Sequence, residues 1–181
     1  MGRSSTFWEI FKVVAIVFVS AVIIRSFLFQ PFIVEGSSME PDFHNGEYLL
    51  VEKIGYHLSA PARGDVIVFQ FPNNPSVDYI KRIIGLPGET VRIVSNQVYI
   101  NNKLLPENYL TPGEITDVNS QPDQPYEITL ASNQYFMMGD NRQHSSDSRE
   151  WGPLDQKFII GKTTLVLYPH SNFEAVASPK Y

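Results

Sequence analysis

Hydrophobic positions fall into two regimes along this chain. From Phe7 to Phe29 it is apolar almost throughout, interrupted by Glu9, Lys12, Ser20, Arg25 and Ser26. The centre, Val13–Ile24, runs 12 residues without a charge, short of the roughly 20 that cross a bilayer about 30 Å thick. Lys12 and Arg25 at its ends can snorkel, and Trp8, Phe27 and Phe29 suit the two interfaces. The pattern predicts a membrane-spanning helix over about residues 8–29, after a short cytoplasmic N-terminus at 1–7. A soluble core helix would not be apolar all round. A cleavable leader would need small residues where this chain has bulky ones.

After the helix the period switches to short β-type runs bounded by turn residues. Strands are expected at Glu47–Lys53, Asp65–Phe71, Asp78–Ile84, Thr90–Val94, Gln97–Ile100, Tyr126–Leu130, Gln134–Met138 and Thr163–Tyr168. Ser95-Asn96 and Asn101-Asn102 read as tight turns, making Thr90–Leu105 a hairpin or meander. Pro106–Pro125 holds four prolines and few large apolar residues, so it reads as a surface excursion. The expected architecture is mainly β, a curled antiparallel domain over residues 30–181 behind one N-terminal helix.

Charge sharpens this picture. Residues 1–25 carry Arg3, Lys12 and Arg25 against Glu9, a net of +2, whereas the remainder has 11 basic and 18 acidic residues, a net of −7. Basic residues precede the span and none follows Arg25 until Lys53, which predicts an N-terminus in the cytoplasm and a body outside. An acidic body without basic runs argues against nucleic-acid binding. With no cysteine, thiol catalysis and thiolate metal sites are excluded.

Three segments carry candidate chemistry: Gly36-Ser37-Ser38-Met39-Glu40-Pro41, Tyr79–Glu89 with Lys81 in an apolar run, and Gly139-Asp140-Asn141-Arg142 continuing to Ser145-Ser146-Asp147-Ser148-Arg149. In this order, behind a membrane anchor, they resemble the three signature boxes of type I signal peptidases, membrane-bound Ser-Lys proteases. The motifs spread from the anchor to about Gly152.

The residues bear independent reading. A serine hydroxyl needs a base. His44, His57, His144 and His170 sit in no recognisable triad setting, and neither a Gly-x-Ser-x-Gly elbow nor a Ser-x-x-Lys pair is present. In a strand, Tyr79, Lys81 and Ile83 share one face and Ile80, Arg82 and Ile84 the other. A lysine acts as a base only when neutral, and apolar burial lowers its pKa from about 10.4 to roughly 7–8.

The resemblance implies the roles. Ser38, directly before the methionine, is the nucleophile, and Lys81 is its base in forming and hydrolysing an acyl-enzyme. The amide of Ser38 helps to hold the oxyanion. Some members place a serine where this chain has Gly36, so a second side-chain donor is missing from that oxyanion region. Asp42 stands where the motif usually has threonine, with no interpretation from sequence. Ser145 is implied to hydrogen-bond the Lys81 amine, Asp140 to pair with Arg82, and Asp147 with Arg149.

The implied activity is removal of N-terminal signal peptides from exported preproteins at small-x-small sites, with no metal and no organic cofactor. From Phe29 to Ser38 even an extended chain reaches only about 30 Å, which keeps the nucleophile near the outer leaflet. Expected partners are signal peptides, the lipid bilayer and the export translocon, in a cytoplasmic membrane; a thylakoid membrane fits the same pattern. Two other classes share some features: a soluble Ser-Lys self-cleaving regulator, which would carry a DNA-binding module, and a tethered β domain that binds peptides without chemistry.

Overall fold

A computed structural model describes residues 3–23, 28–116, 125–169, 172–176 and 179. Helix α1 covers Arg3–Ile23. Trp8, Ile10, Val13, Ile16 and Phe18 are exposed, so apolar side chains face outward around the whole helix. Among the described residues no helix is long and apolar enough to cross a membrane. The sequence places the end of a span at residue 29, yet Phe29 opens strand β1, Phe29–Ile33. Pro31 explains why this segment is no helix: it has no amide to donate and sterically clashes with a helical interior. Proline is tolerated in β1 because this is an edge strand, paired only with β2, Tyr48–Glu52.

Among the described residues twelve strands form two antiparallel sheets. The remaining members of the larger are β3 (Val66–Phe71), β4 (Asn74–Gly85), β9 (Gln134–Met138), β10 (Leu154–Asp155), β11 (Ile159–Tyr168) and β12 (Glu174–Ala175). Its order is β1-β2-β11-β3-β4-β9-β10, with β12 added to β11. The smaller contains β5 (Thr90–Val94), β6 (Gln97–Ile100), β7 (Lys103–Leu104) and β8 (Tyr126–Thr129), in the order β7-β6-β5-β8. Its turns need positive φ at both central residues, which Ser95 and Asn96 (49° and 61°) and Asn101 and Asn102 (50° and 66°) supply.

Alternation along β4 divides the core. Ile83 packs with Ile67, Phe69, Tyr135 and Met137 on one face of the large sheet. Its neighbour Ile84 joins Val91, Ile93, Val98, Phe136 and Met138, which weld the small sheet to the end of β4. A third cluster, Val34, Met39, Phe43, Leu49, Val66 and Val166, lies beneath the Gly36–Pro41 turn. Met39 is buried there, so the residue after Ser38 is an apolar plug that seats the turn.

Candidate active site

Ser38 and Lys81 meet although 43 residues separate them: the Lys81 Nζ donates to Ser38 Oγ at 2.7 Å and to Ile80 O at 3.0 Å. Register explains which lysine atom arrives. Lys81 faces Ile67 and Arg82 faces Val66 across β3, and alternation sends the two cations to opposite sides of the strand. The Lys81 amine is almost wholly buried and also lies 5.3 Å from the Tyr79 ring centroid. Burial lowers its pKa from 10.5 to about 8; Asp147 and Asp140 oppose that shift, and Arg149 adds to it.

On the other side of β4, Arg82 donates through Nε to Asp140 Oδ1 at 2.8 Å and through Nη2 to Asp140 Oδ2 at 2.6 Å. This forked pair is buried on both sides. Asp42, which sequence left without an account, receives a further Arg82 bond at 2.7 Å. Its carboxyl is pushed above the ordinary range by burial and then by Asp140, against the pull of Arg82. Thus the nucleophile turn, the lysine strand and the Gly139 loop converge on one guanidinium.

The Asp147–Arg149 pair is equally local and buried. Arg149 donates to Asp147 Oδ1 and Oδ2, both at 2.8 Å, and to Arg142 O at 2.6 Å. Asp147 also caps helix α2, Ser148–Trp151, and accepts from the Gly139 amide at 3.0 Å. The loop in turn grips the serine turn: Asn141 N donates to Ser38 O and Asn141 Nδ2 to Ser37 O, each at 3.1 Å.

Ser145 departs from expectation. Its Oγ is buried and makes no hydrogen bond among the described residues, so the bond to the Lys81 amine is not formed. The amine reaches Ser38 and Ile80 instead, while the Ser145 hydroxyl is packed over the Cα of Gly139. Gly36 has φ +91°, a conformation that favours glycine, and its amide donates to Asn45 Oδ1 at 2.9 Å. Two of the histidines are accounted for elsewhere, His44 beside Glu47 and His144 bonded to Asn141.

Beside the pair opens a cleft of about 510 Å³, lined by Phe32–Glu35 on one side and Ser76–Lys81 on the other. Both walls have strand edges with free bonding capacity among the described residues. β1 has a neighbour on one side only, and β9 joins β4 only from Arg82 onward. Val34, Leu49, Val68 and Ile80 supply apolar lining, with Ser38 and Lys81 at one end of the wall. Three features thus coincide: a hydroxyl, a buried amine of lowered pKa, and a cleft beside them.

Comparison with known proteins gives the family. The family model described as signal peptidase, peptidase S26, matches residues 7–168. A signal peptidase I of Bacillus licheniformis is 38% identical over 173 residues, covering 93% of this chain and 92% of its own. Signal peptidase I S of Bacillus subtilis is 37% identical over 174 residues, covering 93% of each chain. A crystal structure of a signal peptidase I from Enterococcus faecalis aligns at 34% identity and a TM-score of 0.49, over 60% of this chain and 97% of that one.

Proposed function

The chain belongs to the signal peptidase family, peptidase S26, and from that premise we propose how this serine-type signal peptidase cuts its substrates. The observation that carries the reading is the 2.7 Å approach of a buried lysine amine to the Ser38 hydroxyl. A neutral amine has two N–H groups and one lone pair. Loss of the third proton reverses the bond to Ser38: with one N–H on Ile80 O, the lone pair accepts from the Ser38 O–H.

Ser38 Oγ attacks the scissile carbonyl and its proton passes to Lys81 Nζ. The ammonium gives that proton to the departing amine, leaving an acyl-enzyme and a neutral lysine. Lys81 then draws a proton from water, which attacks the ester, and as the ester C–O bond breaks the ammonium returns that proton to Ser38 Oγ, restoring the hydroxyl and the neutral amine. The Ser38 amide stabilises the oxyanion; Gly36 adds no side-chain donor to it. The second amine N–H is free for the buried Ser145 hydroxyl once that side chain rotates. Asp140–Arg82 holds the loop against the strand that carries the base, and Asp147–Arg149 braces the loop internally.

The substrate is a preprotein whose signal peptide enters the cleft as an added strand between Phe32–Glu35 and Ser76–Lys81. Val34, Leu49, Val68 and Ile80 in the lining suit the small side chains of a small-x-small site. The outward apolar surface of α1 supports a role as membrane anchor, ending before Phe29, with the β body outside the cytoplasmic membrane and the lipid bilayer and export translocon as neighbours. A preprotein cleavage assay with the intact protein, Ser38→Ala and Lys81→Ala tests the dyad: both variants should lose processing, and equal cleavage by all three would refute it.

A further inference from the structure

The segment after β7, expected as a mere surface excursion, docks on the back of the site through its charged and aromatic residues. Arg142 is fully buried and needs a counter-charge, since an unpaired buried ion is strongly destabilising. That charge comes from Glu107, which accepts from Arg142 Nη1 at 3.2 Å and also from Nη2. Thr116 Oγ1 accepts from Nη1 at 2.7 Å, and Tyr109 OH accepts from Nη2 at 3.1 Å while donating to Glu107 at 3.0 Å. The Tyr109 ring also covers the second buried guanidinium, with Arg82 Cζ 4.4 Å from its centroid.

The remaining bonds of Arg142 run toward the dyad. Its Nε donates to Gly139 O at 3.0 Å, and its carbonyl accepts from Arg149. The Cα of Gly139 lies against Ser38 O and Ser145 Oγ, so an added methyl would overlap both. Asn141, the residue before Arg142, holds Ser38 O and Ser37 O.

We propose that Glu107 and Tyr109 are positioning residues for the signal-peptidase reaction: they clamp Arg142 and Arg82 and so fix the Gly139–Asn141 wall that sets the Ser38 hydroxyl against Lys81. The proposal rests on the Ser38–Lys81 reading. They touch neither reacting atom; their effect is on alignment, where a displacement of about 1 Å can cost on the order of a hundredfold in rate. Because the cleft is lined by other residues, alignment should change kcat and leave KM alone.

The test uses the full chain in detergent with a preprotein bearing an Ala-x-Ala site. Steady-state kcat and KM are measured for wild type, Glu107→Gln, Glu107→Asp and Tyr109→Phe, each divided by its folded fraction from near-ultraviolet circular dichroism. The expected result is a kcat about tenfold lower in Glu107→Gln, about threefold lower in Tyr109→Phe, partial recovery in Glu107→Asp, and KM within about twofold throughout. A kcat per folded molecule equal to wild type in both Glu107→Gln and Tyr109→Phe overturns the proposal. If Glu107→Gln does not fold, Tyr109→Phe decides, since it keeps the ring and the ion pair. Ser38→Ala, run alongside, reports separately on the dyad.

Discussion

The backbone amide of Asn141 donates to the carbonyl oxygen of Ser38 at 3.1 Å, so the place of Ser38 is set by a loop some hundred residues away. Gly139, two residues earlier, faces the same carbonyl. Its lack of a side chain is what permits the approach, because a Cβ there would collide with Ser38 O and Ser145 Oγ. One of the two is backbone and cannot swing aside. Gly139→Ala is therefore expected to lower kcat by about a hundredfold, measured on preprotein cleavage with folding checked by circular dichroism.

Among the described residues the Ser145 hydroxyl is buried without a partner, a state that costs a fold about 1–3 kcal/mol. Ser145→Ala is accordingly expected to leave thermal stability unchanged or raised. If the hydroxyl meets the lysine amine during turnover, the same variant should lose at least about tenfold in kcat. A variant that is destabilised yet fully active would contradict both statements.

Asp42 and Asp140 share Arg82 unequally. Asp140 is buried and forked; Asp42 is 39% exposed at its side chain and makes one bond. Asp140→Asn should cost about 3–5 kcal/mol in denaturant unfolding, because it leaves a buried guanidinium under-compensated. Asp42→Asn should differ in sign. A carboxyl whose folded pKa is raised contributes its stability at acid pH and loses it as pH climbs through the folded value. At pH 7 this substitution is expected to be neutral or stabilising, with the difference fading below the ordinary aspartate range.

Lys81 gives the clearest pH signature. With a folded pKa of about 8, only the neutral fraction reacts, so kcat/KM should fall about tenfold per unit below that value and level off above it. Lys81→Arg should be inactive at every pH, since a guanidinium stays charged. Stability runs oppositely to function: an amine depressed from 10.5 to about 8 penalises the folded state below pH 8, and the penalty shrinks as pH rises toward 10.5. Lys81→Met should therefore unfold at higher temperature than the native protein at pH 7, with the gap narrowing at alkaline pH.

Local signals in the sequence account for much of this structure. The paired positive φ angles at Ser95-Asn96 and Asn101-Asn102 are where turn chemistry locates them. Period-two alternation separates Lys81, which meets Ser38, from Arg82, which meets Asp140. What local reading missed depends on distant partners. The apolar run carries the expected span one residue into β1, at Phe29, and residues 30–33 show no strand period of their own; pairing with β2 makes them a strand. β12 and β10 are two-residue additions too short for any period. The contacts Asp42–Arg82 and Glu107–Arg142 join residues 40 and 35 positions apart, and no single-chain pattern encodes such a meeting. The free Ser145 hydroxyl is a matter of rotamer and packing, below the resolution of motif spacing.

The protonation state of Lys81 can be read directly. With lysine carbon-13 labelled at the ε position, the chemical shift of the residue that disappears in Lys81→Met can be followed against pH in the full-length protein. The account predicts a midpoint near 8, coinciding with the acidic limb of kcat/KM. A midpoint at the ordinary lysine value of 10.5, in a protein that still cleaves fully at pH 7, would contradict it.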